Sequence, residues 1–236
     1  MGRVVLMFLV SLCFGIIGLV LWTGPVYAPP FNPPIGGLLE CQANLNTCNA
    51  NLAACEAQPA AAVPQTGQTT CWDTSGNVIT CAGTGQDGDI QAGVVPPNPR
   101  FTDNGNGTIT DNLTGLIWLK NANCFGTRTW ALALTDANTL NSGECGLTDG
   151  SVDGDWYLPN RNELASLLDL ENSNPALPTG YPFTEFQIYY YYWSSTTAVP
   201  DPSYAWLVFF LGGTVFADFK TSSGFDAYVL PVRGGS

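Results

Sequence analysis

Three cysteines, Cys41, Cys48 and Cys55, recur every seven residues and interleave with Leu38, Leu45 and Leu52. In a heptad frame the leucines take every a position and the cysteines every d position, the apolar seam of a coiled coil. Successive d residues lie roughly 10 Å apart along a helix, while a disulfide needs Cα atoms within about 7 Å. These thiols therefore cannot pair with one another inside one straight helix, and the expectation is interchain bonding in a parallel homo-oligomer. The competing reading is a helix with small buried thiols. Zinc sites usually want closer ligand pairs. Cys71 and Cys81 bracket a segment centred on Gly76, and folding it there sets the two opposite each other for a hairpin disulfide. Cys124 and Cys145 remain for each other across a predicted helix. After two pairs, three of the seven cysteines beyond the leader are left over, which in an exported chain points to intermolecular bonds or a reactive thiol.

Asp149, Asp153 and Asp155, in Asp-Gly-Ser-Val-Asp-Gly-Asp, form the densest carboxylate cluster. Oxygen-rich loops of this kind suit calcium. The alternative is an acidic glycine turn whose side chains cap local amides. Tyr189, Tyr191 and Trp193 alternate along a predicted strand and offer an aromatic platform for a ligand, although in a strand half of such rings face the core. Asp103-Asn-Gly-Asn-Gly107 has neither the register nor the distal Glu of an EF-hand and reads as a hairpin turn.

Composition removes several chemistries. The 236 residues contain no histidine, which excludes Ser-His-Asp and Cys-His catalysis and imidazole metal sites. No phosphate-cradling glycine loop followed by Lys and Ser/Thr is present. No motif supports a glycosidase carboxylate pair. Beyond residue 28 the chain keeps six basic and nineteen acidic residues, a formal −13 that repels nucleic acid and anionic lipid.

These residues must be positioned by the elements around them. Residues 1–28 carry one charge, Arg3, before the apolar run 4–22, and Val26-Tyr27-Ala28 fits a small-x-small cleavage site. This reads as a signal peptide or, since the run approaches the length of a bilayer span, a membrane anchor. Residues 29–37 form a Pro/Gly spacer, 38–56 the Cys/Leu coiled coil, 57–70 a linker, and 71–99 the disulfide hairpin with a Gly-rich connector. A compact aromatic-rich domain fills 100–236. Its pattern predicts a hairpin about Asn104–Gly107 and a strand over 113–119. A helix follows, carried by Trp130, Leu134, Ala137 and Leu140, then a second capped by Asn160 and Glu163. Strands are predicted over 189–197, 204–210, 214–219 and 226–232. Two helices early and strands late indicate an α+β domain. Trp118, Trp130, Trp156 and Trp206 read as core.

Arg100-Phe-Thr-Asp-Asn-Gly-Asn-Gly-Thr-Ile-Thr-Asp-Asn-Leu-Thr-Gly-Leu-Ile-Trp118 resembles the opening of the Lcl C-terminal domain family, named for a bacterial collagen-like adhesin. The likeness continues through Cys145-Gly-Leu-Thr-Asp-Gly-Ser151, Gly154-Asp-Trp-Tyr-Leu-Pro-Asn160, Glu163-Leu164, Tyr192-Trp-Ser-Ser-Thr-Thr197, Ala205-Trp206 and Tyr228-Val-Leu-Pro-Val-Arg-Gly-Gly235. The resemblance implies a C-type-lectin-like head, with two helices on small antiparallel sheets, after the short N-terminal stalk. It also implies an exported, surface-associated bacterial protein, in some members adhesive toward sulfated glycans. The tail is similar to that of the formylglycine-generating enzyme fold. Here the chain departs from the family expectation: six basic residues make no cationic stripe, and the Glu-Pro-Asn and Trp-Asn-Asp motifs of calcium-dependent lectins are absent. The reading is a non-enzymatic, multivalent head that recognises a glycan, matrix or protein ligand, with no cofactor other than calcium in view. Its alternatives are a structural subunit of a surface assembly and an enzyme related to the formylglycine-generating fold.

Overall fold

The computed structural model describes residues 63–221 and 227–234. The leader, the spacer, the heptads with Cys41, Cys48 and Cys55, and residues 57–62 of the expected linker lie outside the described residues. Among the described residues, no helix is long and apolar enough to cross a membrane. The unit they belong to spans 62–236.

It is a mixed α+β fold. A hairpin of β1 (Cys71–Trp72) and β2 (Val78–Ile79) precedes a short helix α1 (Asp87–Ile90). A four-stranded sheet follows from β3 (Phe101–Asp103), β4 (Thr108–Asp111), β5 (Ile117–Leu119) and, from the far end of the chain, β11 (Val232–Arg233), in the order β11-β5-β4-β3. The second sheet comprises β6 (Thr127–Arg128), β7 (Tyr191–Thr197), β8 (Tyr204–Phe209), β9 (Thr214–Phe219) and β10 (Ala227–Tyr228), ordered β6-β10-β7-β8-β9. Its pairings are antiparallel except β10 with β7, which run parallel at Tyr228 and Tyr192. The expectation of purely antiparallel sheets is corrected there. Between β6 and β7 come α2 (Trp130–Asn138) and α3 (Arg161–Ala165).

Local chemistry explains the elements. The β3–β4 turn uses Asp103 and Asn106 side chains to accept from the amides of Gly105 and Thr108. Gly107 sits at φ 85°, and a Cβ there would lie 2.4 Å from the Gly146 carbonyl oxygen, so the turn needs glycine. Asn160 caps α3 by accepting from the Asn162 and Glu163 amides, and Glu163 accepts from the Asn160 amide in return. The strand expected over 226–232 is two strands, because Pro231 has no amide to continue the ladder and its carbonyl instead accepts from Leu119 N–H. The Cys71–Cys81 hairpin folds one step earlier than expected. Cys71 faces Ile79, since the Asp73 carboxylate gathers the Ser75 and Asn77 amides into a tighter turn, and Cys81 curls back to close the disulfide.

Three clusters form the core. One, between the two sheets, joins Ile109, Trp118 and Val232 to Leu164, Leu167, Tyr192, Val208 and Phe210. On the opposite face of the five-stranded sheet, Ala133 and Ala137 of α2 cover Trp193, Ala205, Leu207 and Ala227. The third holds Leu119, Leu140, Leu147 and Trp156, with Cys124 and Cys145 packed against it. The Cys124–Cys145 disulfide forms as expected and closes a 21-residue separation. Chain-entropy reasoning assigns such a loop about 3 kcal/mol. A Cys124→Ala/Cys145→Ala variant is expected to unfold about 3 kcal/mol more easily in denaturant; an unchanged midpoint would contradict this.

Residues 63–70, read from composition as linker, are strapped to the domain. Val63 and Gln65 bond to Val94, and Leu170 N–H donates to Thr66 C=O. Glu171 accepts from the amides of Thr69 (2.7 Å) and Thr70 (3.1 Å) and from the Thr70 hydroxyl. The Thr69 amide, first among these donors, holds the Glu171 carboxyl below its ordinary range. A carboxyl so lowered contributes stability that is full above its unfolded pKa and lost as pH falls through the folded one. Amide exchange should therefore show Thr69 and Thr70 protected at neutral pH and released once pH falls below the ordinary glutamate range. Glu171→Gln should release them at all pH values. Protection that ignores both pH and the substitution would exclude this clasp.

Candidate functional site

The aromatic run does not form the expected alternating platform. β7 begins at Tyr191, so Tyr189 and Tyr190 precede the strand and both stand out, 64% and 52% exposed. Tyr190 packs edge-on against Tyr228 at 5.5 Å. Tyr191 is half-buried between Phe209 and Phe216, each at 4.9 Å. Trp193 is fully buried and its indole N–H donates to the Arg128 carbonyl at 2.8 Å. The placement of Trp193 on a ligand face is corrected: α2 covers that face of the sheet. Tyr192, on the other face, is also buried, and burial pushes its hydroxyl far above the ordinary phenol range. Of the three residues singled out in sequence, Tyr189 is openly presented to solvent, and it is joined by Tyr190.

The three aspartates diverge. The Asp149 side chain is inaccessible, lies 3.0 Å from the Arg233 guanidinium and accepts from the Ser151 amide and hydroxyl. Arg233 in turn lies over the Trp156 ring at 5.0 Å. Asp153 accepts from the Asn141 carboxamide and Asp155 from the Val152 amide. The second closes a local turn, the first joins Asp153 to the segment after α2, and both aspartates are exposed. Among the described residues, no group of three His, Cys, Asp or Glu side chains is placed to hold a metal ion.

The cations are largely spent within the fold. Arg100, Lys120, Arg128 and Arg233 pair with Asp111, Asp103, Asp136 and Asp149. Lys220 lies 4.0 Å over Trp130 and donates to the Thr197 hydroxyl and Pro202 carbonyl. Arg161 stacks on half-buried Trp206 at 4.7 Å with its Nε buried and without an acceptor. Trp130 and Trp206 are thus half-exposed cation–π partners, whereas Trp118 and Trp156 are core as expected. No spacing rule pairs Arg161 with Trp206. Charge arranged in this way offers no row of free cations to a sulfated polymer.

The motifs quoted from 100–118 to 228–235 now occupy β3 to β5, the turn around Asp149, the α3 cap, β7, β8 and the β10–β11 tail. The model of the Lcl C-terminal domain family matches residues 107–233. The chain belongs to that family. Among curated proteins, none matches this chain. The Lcl C-terminal domain match begins at Gly107, the glycine that brings the β3–β4 turn against Gly146 beside Cys145, and ends at Arg233, the partner of Asp149. The match therefore spans the five-stranded sheet, the four-stranded sheet apart from β3, both longer helices and the Cys124–Cys145 disulfide. It is consistent with a surface or adhesin type of protein.

Proposed function

We propose that the protein is an exported, non-enzymatic bacterial surface protein whose C-type-lectin-like head recognises a glycan, matrix or protein ligand. The coiled coil of residues 38–56, stapled through Cys41, Cys48 and Cys55, displays several heads, and residues 4–22 either direct export or hold the protein at the membrane. Multivalent display converts weak single-head contacts into avidity without new contacts.

The observation that carries this reading is the pair Tyr189 and Tyr190, two large rings held in solvent at the start of a central strand of a rigid, disulfide-closed domain. Exposed aromatic rings on a fixed backbone supply contact area at little entropic cost. An enzyme built on a cleft cysteine is disfavoured, since both cysteines of the family domain are joined in a disulfide. The experiment is a glycan and matrix-component array probed with the full chain, in calcium and in chelator. Calcium-dependent hits would implicate the 149–155 loop, and chelator-indifferent hits the tyrosine surface. Tyr189→Ala is expected to leave unfolding within about 0.5 kcal/mol of the parent yet weaken array binding about tenfold. Equal binding by the variant would remove the tyrosines from the ligand surface.

A structural role is favoured by one feature. β9 is an edge strand of the five-stranded sheet, with Phe219 44% exposed at its end. Concentration-dependent assembly of the full chain, with silence on the array, would select that reading.

A further inference from the structure

The domain carries a groove lined by none of the candidate site residues Asp149, Asp153, Asp155, Tyr189, Tyr191 and Trp193. It has a volume of about 510 Å³, within the roughly 300–1,000 Å³ range of small-molecule sites. Leu134 and Leu158 make its apolar part, Thr135, Asn138 and Thr139 of the α2 end form one side, and Tyr157 and Ser195 complete the lining. We propose that this groove is a binding site for a neutral saccharide, a pyranose without carboxylate or sulfate. The inference rests on the ligand-recognition reading and adds to the tyrosine surface a second contact of stated substrate class.

The lining contains no carboxylate, ammonium or guanidinium group, in a chain with a formal charge of −12. An ionic ligand would find no counter-charge there. Uncharged hydrogen-bonding groups are instead dense. Among the described residues, the Asn138 carboxamide and the Ser195 hydroxyl have no hydrogen-bond partner. Thr135 and Thr139 donate their hydroxyl protons back to the carbonyls of Ala131 and Thr135, which leaves their oxygens as acceptors. A purely apolar ligand would cover Asn138 and Ser195 without satisfying them, at a cost. A sugar ring presents the matching set: hydroxyls at its rim and apolar C–H faces for Leu134, Leu158 and the Tyr157 ring.

The groove is also fixed in place. Tyr157 exchanges both backbone hydrogen bonds with Val232 at 2.9 Å, and its hydroxyl donates to Glu163 at 3.2 Å. Ser195 N–H is held by the Pro159 carbonyl at 2.8 Å, and Ala137, beside the groove on α2, is packed in the core. A ligand would meet a preformed surface and need order little of the chain.

The test is ligand-observed saturation-transfer NMR on the full chain with methyl glycosides of neutral hexoses and N-acetylhexosamines, and methyl glucuronide as the charged arm. At least one neutral glycoside is expected to saturate with about millimolar affinity and the glucuronide to bind more weakly. Asn138→Ala and Ser195→Ala, whose side chains make no hydrogen bond among the described residues, should each weaken that binding by about three- to tenfold with unfolding unchanged. The inference is overturned if no neutral glycoside saturates while the array still shows a ligand; recognition would then stand and the groove would fall. It is equally overturned if binding ignores Asn138→Ala and Ser195→Ala but follows Tyr189→Ala. Silence in both assays would remove the recognition reading with it.

Discussion

Asp111→Ala should lower the stability of the domain by about 3–5 kcal/mol, the range for breaking a buried ion pair by removing one partner. Arg100 and Asp111 are buried together, their side chains 8% and 0% exposed. Two hydrogen bonds of 3.2 and 3.1 Å join guanidinium and carboxylate, and Asp111 also accepts from the Leu113 amide and the Thr114 hydroxyl. Arg100 reaches on to the Ser166 carbonyl just beyond α3. The pair therefore ties the start of the first sheet to the helix that packs between the sheets. Removing the carboxylate strands a guanidinium away from water. An Arg100→Met/Asp111→Leu double variant replaces both charges by apolar groups and should recover much of the loss. Urea titrations of the three proteins decide the matter. A single variant as stable as the parent would show that solvent reaches Arg100 freely.

Trp193→Ala should cost a comparable 3–5 kcal/mol, because a fully buried indole leaves a cavity that α2 cannot close. Ala133 and Ala137 face the ring with short side chains, and Leu207 and Ala205 of β8 share the space. The alanine also orphans the Arg128 carbonyl that the indole N–H satisfies. Trp193→Phe keeps most of the volume and should cost less. This series separates packing from recognition at a position whose sequence context suggested a ligand platform. If Trp193→Ala kept its stability and lost ligand binding, the burial of this face would be wrong.

Local chemistry was legible in the residues, and long-range cover was not. The Asn104–Gly107 turn, the Asn160/Glu163 cap, the β9 span and both disulfides follow from rules that act over a few residues or from elimination among a few cysteines. Alternation along 189–193 says which rings share a face, but not that α2 covers the face of Trp193. Nothing near Asp149 in the chain announces Arg233, whose ion pair takes that carboxylate out of the loop cluster weighed between a calcium site and an acidic turn. The Pro/Ala/Thr/Gln composition of 57–70 reads as linker, yet from Val63 onward its polar groups meet partners in the domain, Glu171 foremost. The groove of Asn138, Tyr157 and Ser195 draws single residues from a helix, a loop and a strand, which no spacing rule could join.

The measurement that bears most directly on a multivalent recognition protein is the array response of the full chain beside that of a Cys41→Ser/Cys48→Ser/Cys55→Ser variant, each with its mass determined under non-reducing conditions. The account predicts a parent whose mass is a multiple of one chain. It also predicts binding at least about a hundredfold tighter than that of the variant, whose head disulfides remain intact. A monomeric parent that binds no better than the variant would contradict multivalent display, and silence of both across the array would contradict recognition itself.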